Sequence, residues 1–313
     1  MRLNQLFKLE VGGLMQSICI LAEDDTKSAL LMLHGGPGTP SMSLFRKYNR
    51  ELAKQFVLVT FDQRGTGRSY YKQLSPQTMT IEQLIQDTHE ITAYIKARFD
   101  QEKIYILGHS FGATLALQVI GRYPQDYIAY FAVSQFVDAA RNETESYEFA
   151  MSQALAHNDR KSVAKLKTIG KPEGGFYSNG LKGTMAAKAI VSKYKGDMYQ
   201  NGSTMGLVMG LLVSKEYGYF RFFNSLKGIS FSLETLGRCL KGIDYFLQIP
   251  KADIPVYFFS GKHDYLTPQN ILKEYYDVLA APHKELHIFE NSAHSPLWEE
   301  AELFNRKIIE IVR

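Results

Sequence analysis

The stretch that decides the fold is Ile104-Tyr-Ile-Leu-Gly108-His-Ser110-Phe-Gly112-Ala-Thr-Leu-Ala-Leu117. Its first half is an apolar run that reads as a buried strand. Its second half, rich in Ala and Leu, reads as the start of a helix. Between them stands Gly108-x-Ser110-x-Gly112. A serine in that setting sits on a sharp strand-to-helix turn that pushes its hydroxyl out beyond the sheet. The flanking glycines let neighbouring backbone approach where a Cβ would collide. The N–H groups that open the helix face the same spot, where negative charge is favoured. G-x-S-x-G also occurs by chance, and a serine is inert without a base and an acid. The rest of the chain has to supply them.

Toward the N-terminus, Ala29–Leu33 is a continuous apolar run, as expected of a strand buried on both faces of a mainly parallel sheet. It ends in His34-Gly-Gly-Pro-Gly38. Such clusters commonly do no more than end a strand. Here the loop is expected to offer a backbone N–H, from Gly36 first and Gly35 second, to join that of Phe111 in an oxyanion hole. His34, next to the strand end, is expected to brace the loop. Residues 1–22 read as opening strands that turn at Gly12-Gly13. Phe56–Phe61 is a further strand, followed by Asp62-Gln-Arg-Gly-Thr-Gly-Arg-Ser69, which has neither a Walker nor a G-x-G-x-x-G pattern. A tight loop braced by Asp62 and Arg64 is the expectation. Thr80 caps a long amphipathic helix carrying Ile81, Leu84, Ile85, Ile91, Ile95 and Phe99.

Toward the C-terminus, Tyr127–Val133 is another strand, and the pattern changes at Asp138. From 138 to 250 strand signals are sparse. Glu143–His157 and Arg160–Ile169 read as helices, and a span rich in glycine and aromatic residues follows. This region is expected to form a helical cap (138–250) inserted in a core made of 1–137 and 251–313. Glycines near 174–183 and 202–210 are candidate hinges. Strand character resumes at Ile254–Ser260 and leads to Asp264. Glu285–Phe289 leads to His294, and a final helix is expected over Trp298–Val312. His263 adjoins Asp264 and should point away from it. His287 lies within its strand. Ser110, Asp264 and His294 therefore each follow a strand, on the sheet edge where α/β proteins place ligands, and in the order nucleophile, acid, base.

Bulk properties narrow the classes. The chain has 313 residues, a formal charge of +4 and ordinary apolar content. It has no basic run with interleaved aromatics, so nucleic acid is not an expected partner. The apolar run Ile18–Ala22 is too short for a membrane span, and charges interrupt any leader-like N-terminus, so no membrane association is expected. Cys19 and Cys239 lie far apart without metal-ligand spacing and read as reduced thiols of a cytoplasmic protein.

The motifs His34–Gly38, Asp62–Ser69, Gly108–Gly112, Gly261-Lys-His-Asp264 and Asn291-Ser-Ala-His294-Ser-Pro296 together resemble the proline iminopeptidase branch of the α/β-hydrolases. The resemblance implies a mostly parallel eight-stranded sheet flanked by helices, with an inserted helical cap. It implies a Ser110–His294–Asp264 serine hydrolase that needs no metal or organic cofactor, an aminopeptidase that releases N-terminal proline or small residues from short peptides, with a short peptide or small molecule as its partner. Glu216 resembles a cap glutamate that would bind a substrate amine, with Glu143, Glu145 and Glu173 as further candidates. The elbow departs from that branch, whose usual form is Gly-Gly-Ser-Trp-Gly, and its His and Phe are more like those of esterases. Carboxylesterase or lactonase activity is thus the alternative, followed by a non-catalytic binding protein on the same scaffold.

Overall fold

Alternation along each central strand divides the apolar side chains between two layers. Leu31 and Leu33 of β3 (Ala29–Leu33) join one hydrophobic cluster, while Leu30 and Met32 join the other. The same holds for Ile106 and Leu107 of β5 (Ile104–His109). Both sets are buried because helices cover both faces. In this computed structural model, which describes residues 1–200 and 204–313, the eight strands form one sheet in the order β1-β2-β4-β3-β5-β6-β7-β8. The remaining strands are β1 (Leu3–Val11), β2 (Leu14–Ala22), β4 (Val57–Phe61), β6 (Tyr127–Val133), β7 (Val256–Gly261) and β8 (Lys284–Phe289). The β1–β2 and β2–β4 pairs are antiparallel, and all later pairs are parallel. The edge strand β1 alternates buried or half-buried with exposed positions, as one-sided cover requires.

One face is packed by α2 (Ile81–Arg98), α3 (Phe111–Arg122) and α10 (Gln269–Val278). The other is packed by α1 (Met42–Tyr48), α11 (Pro296–Glu299) and α12 (Ala301–Ile311). Full burial of one such Leu, Ile or Phe side chain contributes about 1.5–3 kcal/mol, so these layers dominate the stability. As expected, Thr80 caps α2 by accepting the Gln83 N–H.

Between β6 and β7 the chain is helical: α4 (Ala139–Ala156), α5 (Arg160–Ile169), α6 (Leu181–Lys193), α7 (Thr204–Gly210), α8 (Gly218–Leu236) and α9 (Tyr245–Gln248). Residues of α4 to α6 and nearby Tyr177 form a cluster of their own around Tyr147, Leu166 and Ile190. The glycine- and aromatic-rich span, from Gly174 to Phe220, turns out to hold α6, α7 and the start of α8. Of the candidate hinge glycines, Gly202 lies outside the described residues.

The C-terminal helix is not continuous. It breaks at Glu300, whose backbone is extended away from helical values (φ −120°, ψ 50°). The Glu299 and Glu300 carboxylates turn back to accept N–H groups of the preceding loop.

Candidate active site

Strand β5 ends at His109, and Ser110 turns the chain into α3 with φ of +56°. That conformation is costly for a non-glycine residue and is held by its surroundings. The Ser110 N–H donates to the Val133 carbonyl at 2.9 Å. A Cβ on Gly108 would overlap the backbone at Gly112 and Ala113, and one on Gly112 would overlap the end of β3. Both glycines are therefore required by close backbone packing.

The structure brings together the three residues picked from the sequence. Ser110 Oγ lies 2.8 Å from His294 Nε2, and His294 Nδ1 lies 2.9 Å from Asp264 Oδ2. Asp264 is buried and fully engaged. Its Oδ1 accepts the N–H groups of Leu266 and Thr267, both at 2.9 Å, and its Oδ2 also accepts the Thr267 hydroxyl at 2.7 Å. Burial alone would push this carboxyl up. The neighbouring His294 and the Thr267 donors outweigh burial, so it sits below its usual range. A Cβ on Gly261 would overlap the carbonyls of Ser292 and Ala293, so the acid loop and the histidine loop touch backbone to backbone.

His109 packs under His294 against Trp298. Its Nε2 donates to the His294 carbonyl at 2.9 Å, and the Ser134 hydroxyl donates to the same carbonyl at 2.9 Å. Burial, and then the nearby His294, depress the His109 imidazole to about 3, so it is neutral. Neither His109 nor Ser134 was a candidate from the sequence, because contact with a carbonyl 160 or more residues away leaves no local pattern. His34 is buried and neutral, with burial lowering it to about 4. Its Nε2 accepts the Gln63 N–H at 3.0 Å, and the Gln63 amide donates back to the His34 carbonyl. Asp62 Oδ2 accepts the Arg68 N–H, and Arg64 pairs with buried Asp87. His263 stacks on Tyr199, and His287 lies beside Glu285.

Ser110 and His294 open into a cavity of about 380 Å³, lined also by Gly35, Gly36 and Phe111. Phe111 is the first residue of α3, where an N–H has no intrahelical acceptor. The rest of the wall is largely apolar: Leu44, Phe136, Met185, Leu207, Val208, Ile229, Leu233, Leu240, Leu266 and Trp298. A larger open cleft near Arg122, Lys241 and Pro250 touches none of the three residues.

The glutamates are not gathered at this cavity. Glu216 is buried in an ion pair with Arg46 at 2.6 Å. Glu143 is buried with Oε1 3.4 Å from Lys188 Nζ, and Lys188 lines the cavity. Glu145 accepts from Asn270, and Glu173 bridges to Phe176. Among the described lining residues Lys188 is the one acidic or basic side chain other than histidine. Among the described residues no group of three or more His, Cys, Asp or Glu could hold a metal ion, and no helix is long and apolar enough to cross a membrane.

A family model for the alpha/beta hydrolase fold matches residues 28–301. The probable aminopeptidase YbaC of Bacillus subtilis (strain 168) is 34% identical over 95% of this chain and 92% of its own length. A proline iminopeptidase of Heyndrickxia coagulans is 27% identical over 94% of this chain and 93% of its own. The solved proline iminopeptidase of Mycobacterium smegmatis superposes with a TM-score of 0.71 at 16% identity, covering 98% of this chain and 97% of that one.

Proposed function

Because the chain belongs to the alpha/beta-hydrolase fold family, we propose that it works as a serine hydrolase through an acyl-enzyme, on the N-terminal residue of short peptides. The observation that carries the hydrolase reading is the unbroken relay from Ser110 Oγ through His294 to Asp264, at 2.8 and 2.9 Å. In that reading Ser110 attacks the carbonyl carbon while His294 Nε2 takes the hydroxyl proton. Asp264 holds the imidazole tautomer and stabilises the imidazolium. The tetrahedral oxyanion is held by the N–H groups of Phe111 and of Gly36 or Gly35, each typically worth about 2.7–4 kcal/mol of barrier. His294 returns the proton to the leaving amine, and water attacking by the same route frees Ser110. Residues 138–250 act as a cap over a core of 1–137 and 251–313.

The peptidase half of the reading is supported by relatives named aminopeptidase and proline iminopeptidase. It needs a carboxylate for the substrate's free amine. Glu143, whose Oε2 has no hydrogen-bond partner, would supply one if Lys188 gives way. A carboxylesterase is the second reading, favoured by a cavity wall with no carboxylate among its described residues. Side-by-side turnover of proline β-naphthylamide, other aminoacyl amides and short acyl esters separates the two. The peptidase reading expects amide turnover, with KM raised by Glu143→Gln and ester turnover unchanged. Turnover of esters alone rejects it in favour of the esterase. Failure of a fluorophosphonate to label Ser110 in the folded protein would reject both.

A further inference from the structure

Glu299 gathers backbone N–H groups from two segments that are far apart in the chain. Its Oε1 accepts from Ala293 at 2.9 Å and Ser295 at 3.2 Å, the residues on either side of His294. Its Oε2 accepts from Tyr199 at 2.6 Å and Gln200 at 3.3 Å. Residues 196–200 follow α6 of the helical region and are bound to the same sheet edge at three further points. The His294 N–H donates to the Asp197 carbonyl at 3.0 Å. The Tyr265 N–H, next to Asp264, donates to the Gly196 carbonyl at 2.9 Å. The Tyr199 ring stacks on His263 at 3.6 Å.

A half-buried carboxylate is a poor choice for packing alone. Burial pushes Glu299 above its usual range, and the four N–H donors pull against that. The loop around His294 has no strand or helix of its own to fix it, so the torsions either side of His294 depend on such contacts. We propose that Glu299 is a positioning residue for His294, and that the segment Gly196–Gln200 of the helical region forms the other half of the same clamp. The helical region then does more than wall the cavity. It holds the base in line with Ser110. This rests on the reading of His294 as the base of a serine hydrolase.

Glu299→Gln keeps the size but replaces one accepting oxygen with a donor, so it can no longer hold both segments at once and each loses the partner it is clamped against. A misplacement of about 1 Å can cost on the order of a hundredfold, so kcat is expected to fall about 10- to 100-fold with KM changed less than about threefold. Amide exchange should rise together at 199–200 and at 293 and 295. An unchanged kcat, or an effect confined to KM, overturns the proposal, as does faster exchange in one segment with the other still protected. If that variant does not fold, Tyr199→Pro set against Tyr199→Ala isolates one N–H donor. The proline variant should lose more kcat than the alanine variant, and equal losses contradict the clamp. Fluorophosphonate labelling of wild-type Ser110 tests the hydrolase reading separately. Should it fail, the joint rise in exchange still decides whether Glu299 links the segments.

Discussion

The two sides of the cavity are held by different forces. On the sheet side, hydrogen bonds fix nearly every group. Asp264 accepts from three donors besides His294, the His294 carbonyl accepts from two side chains, and His34 and Gln63 bond reciprocally. On the helical side, Met185, Leu207, Val208, Ile229 and Leu233 offer apolar contact without direction. Directional bonds fix a reacting geometry to fractions of an ångström, whereas apolar walls fix only shape and volume. Changes to these bonded groups, and to the 196–200 segment tied to them, should therefore strike rate, and changes to the apolar wall should strike selectivity.

The sharpest test of that contrast is Asp264→Asn. Asparagine keeps the shape but favours the wrong imidazole tautomer. By analogy with other serine triads, kcat should fall about ten-thousandfold with KM little changed. Steady-state kinetics checks this, and a loss under tenfold would break the contrast. Gly261→Ala comes next. Its Cβ would overlap the backbone carbonyls of Ser292 and Ala293, which cannot move without dragging His294. Overpacking of this kind typically costs about 1–3 kcal/mol, so a clear drop in thermal midpoint is expected, along with lower kcat. Neutral behaviour would show that the two loops are not pressed together.

How much of this was legible in the sequence follows the same division. The sheet side announced itself because its signals are local. Glycines at 108 and 112 flank the serine in a short pattern, although Gly112 is required by the distant end of β3, apolar runs of strand length are local, and Asp264 and His294 each follow a recognisable strand. The helical side did so only in part: Arg160–Ile169 is a helix end to end as expected, and Glu143–His157 falls within a few residues of α4. Gly218 to Leu236 forms one long helix although Gly218, Gly228 and several aromatics weaken its intrinsic propensity, because packing on the core overrides that preference. Gly228 faces the Gly65 carbonyl too closely for a Cβ, and Ser232 donates to that carbonyl at 3.2 Å. Glu216, chosen by resemblance to a motif, is committed to Arg46, a partner 170 positions away that no spacing rule could name. The break at Glu300 was hidden because the contacts that accompany it, from the Glu299 and Glu300 carboxylates to N–H groups of the histidine loop, leave no mark on helical periodicity.

Smaller effects sharpen the comparison from the helical side. Ile229→Ala enlarges the apolar pocket and should shift preference toward bulkier acyl groups by about tenfold or more, since even one methylene in such a pocket is worth about 1–3 kcal/mol. The ratio of kcat/KM for long against short acyl substrates reads this. A uniform loss on all substrates would assign Ile229 to the machinery of rate instead.

The least effect should come where the two sides are joined by Asp62. Burial raises its carboxyl to about 7, against the hydrogen bonds from Tyr217 and the Arg68 N–H. An acid whose folded value lies above its unfolded 3.8 contributes stability that is complete below that value and is lost as pH rises through about 7. Asp62→Asn removes this dependence. The difference in thermal midpoint between variant and wild type should move in the variant's favour from about pH 5 to about pH 8. A difference that stays constant would place the ionisation elsewhere.

In the proposed mechanism Ser110 becomes covalently acylated during turnover, with His294 as its base. Intact-mass measurement of enzyme quenched during turnover of an activated ester tests it most directly. An acyl adduct that peptide mapping assigns to Ser110 is expected, with neither adduct nor turnover in Ser110→Ala. Undiminished turnover by Ser110→Ala, or an adduct on any other residue, would contradict it.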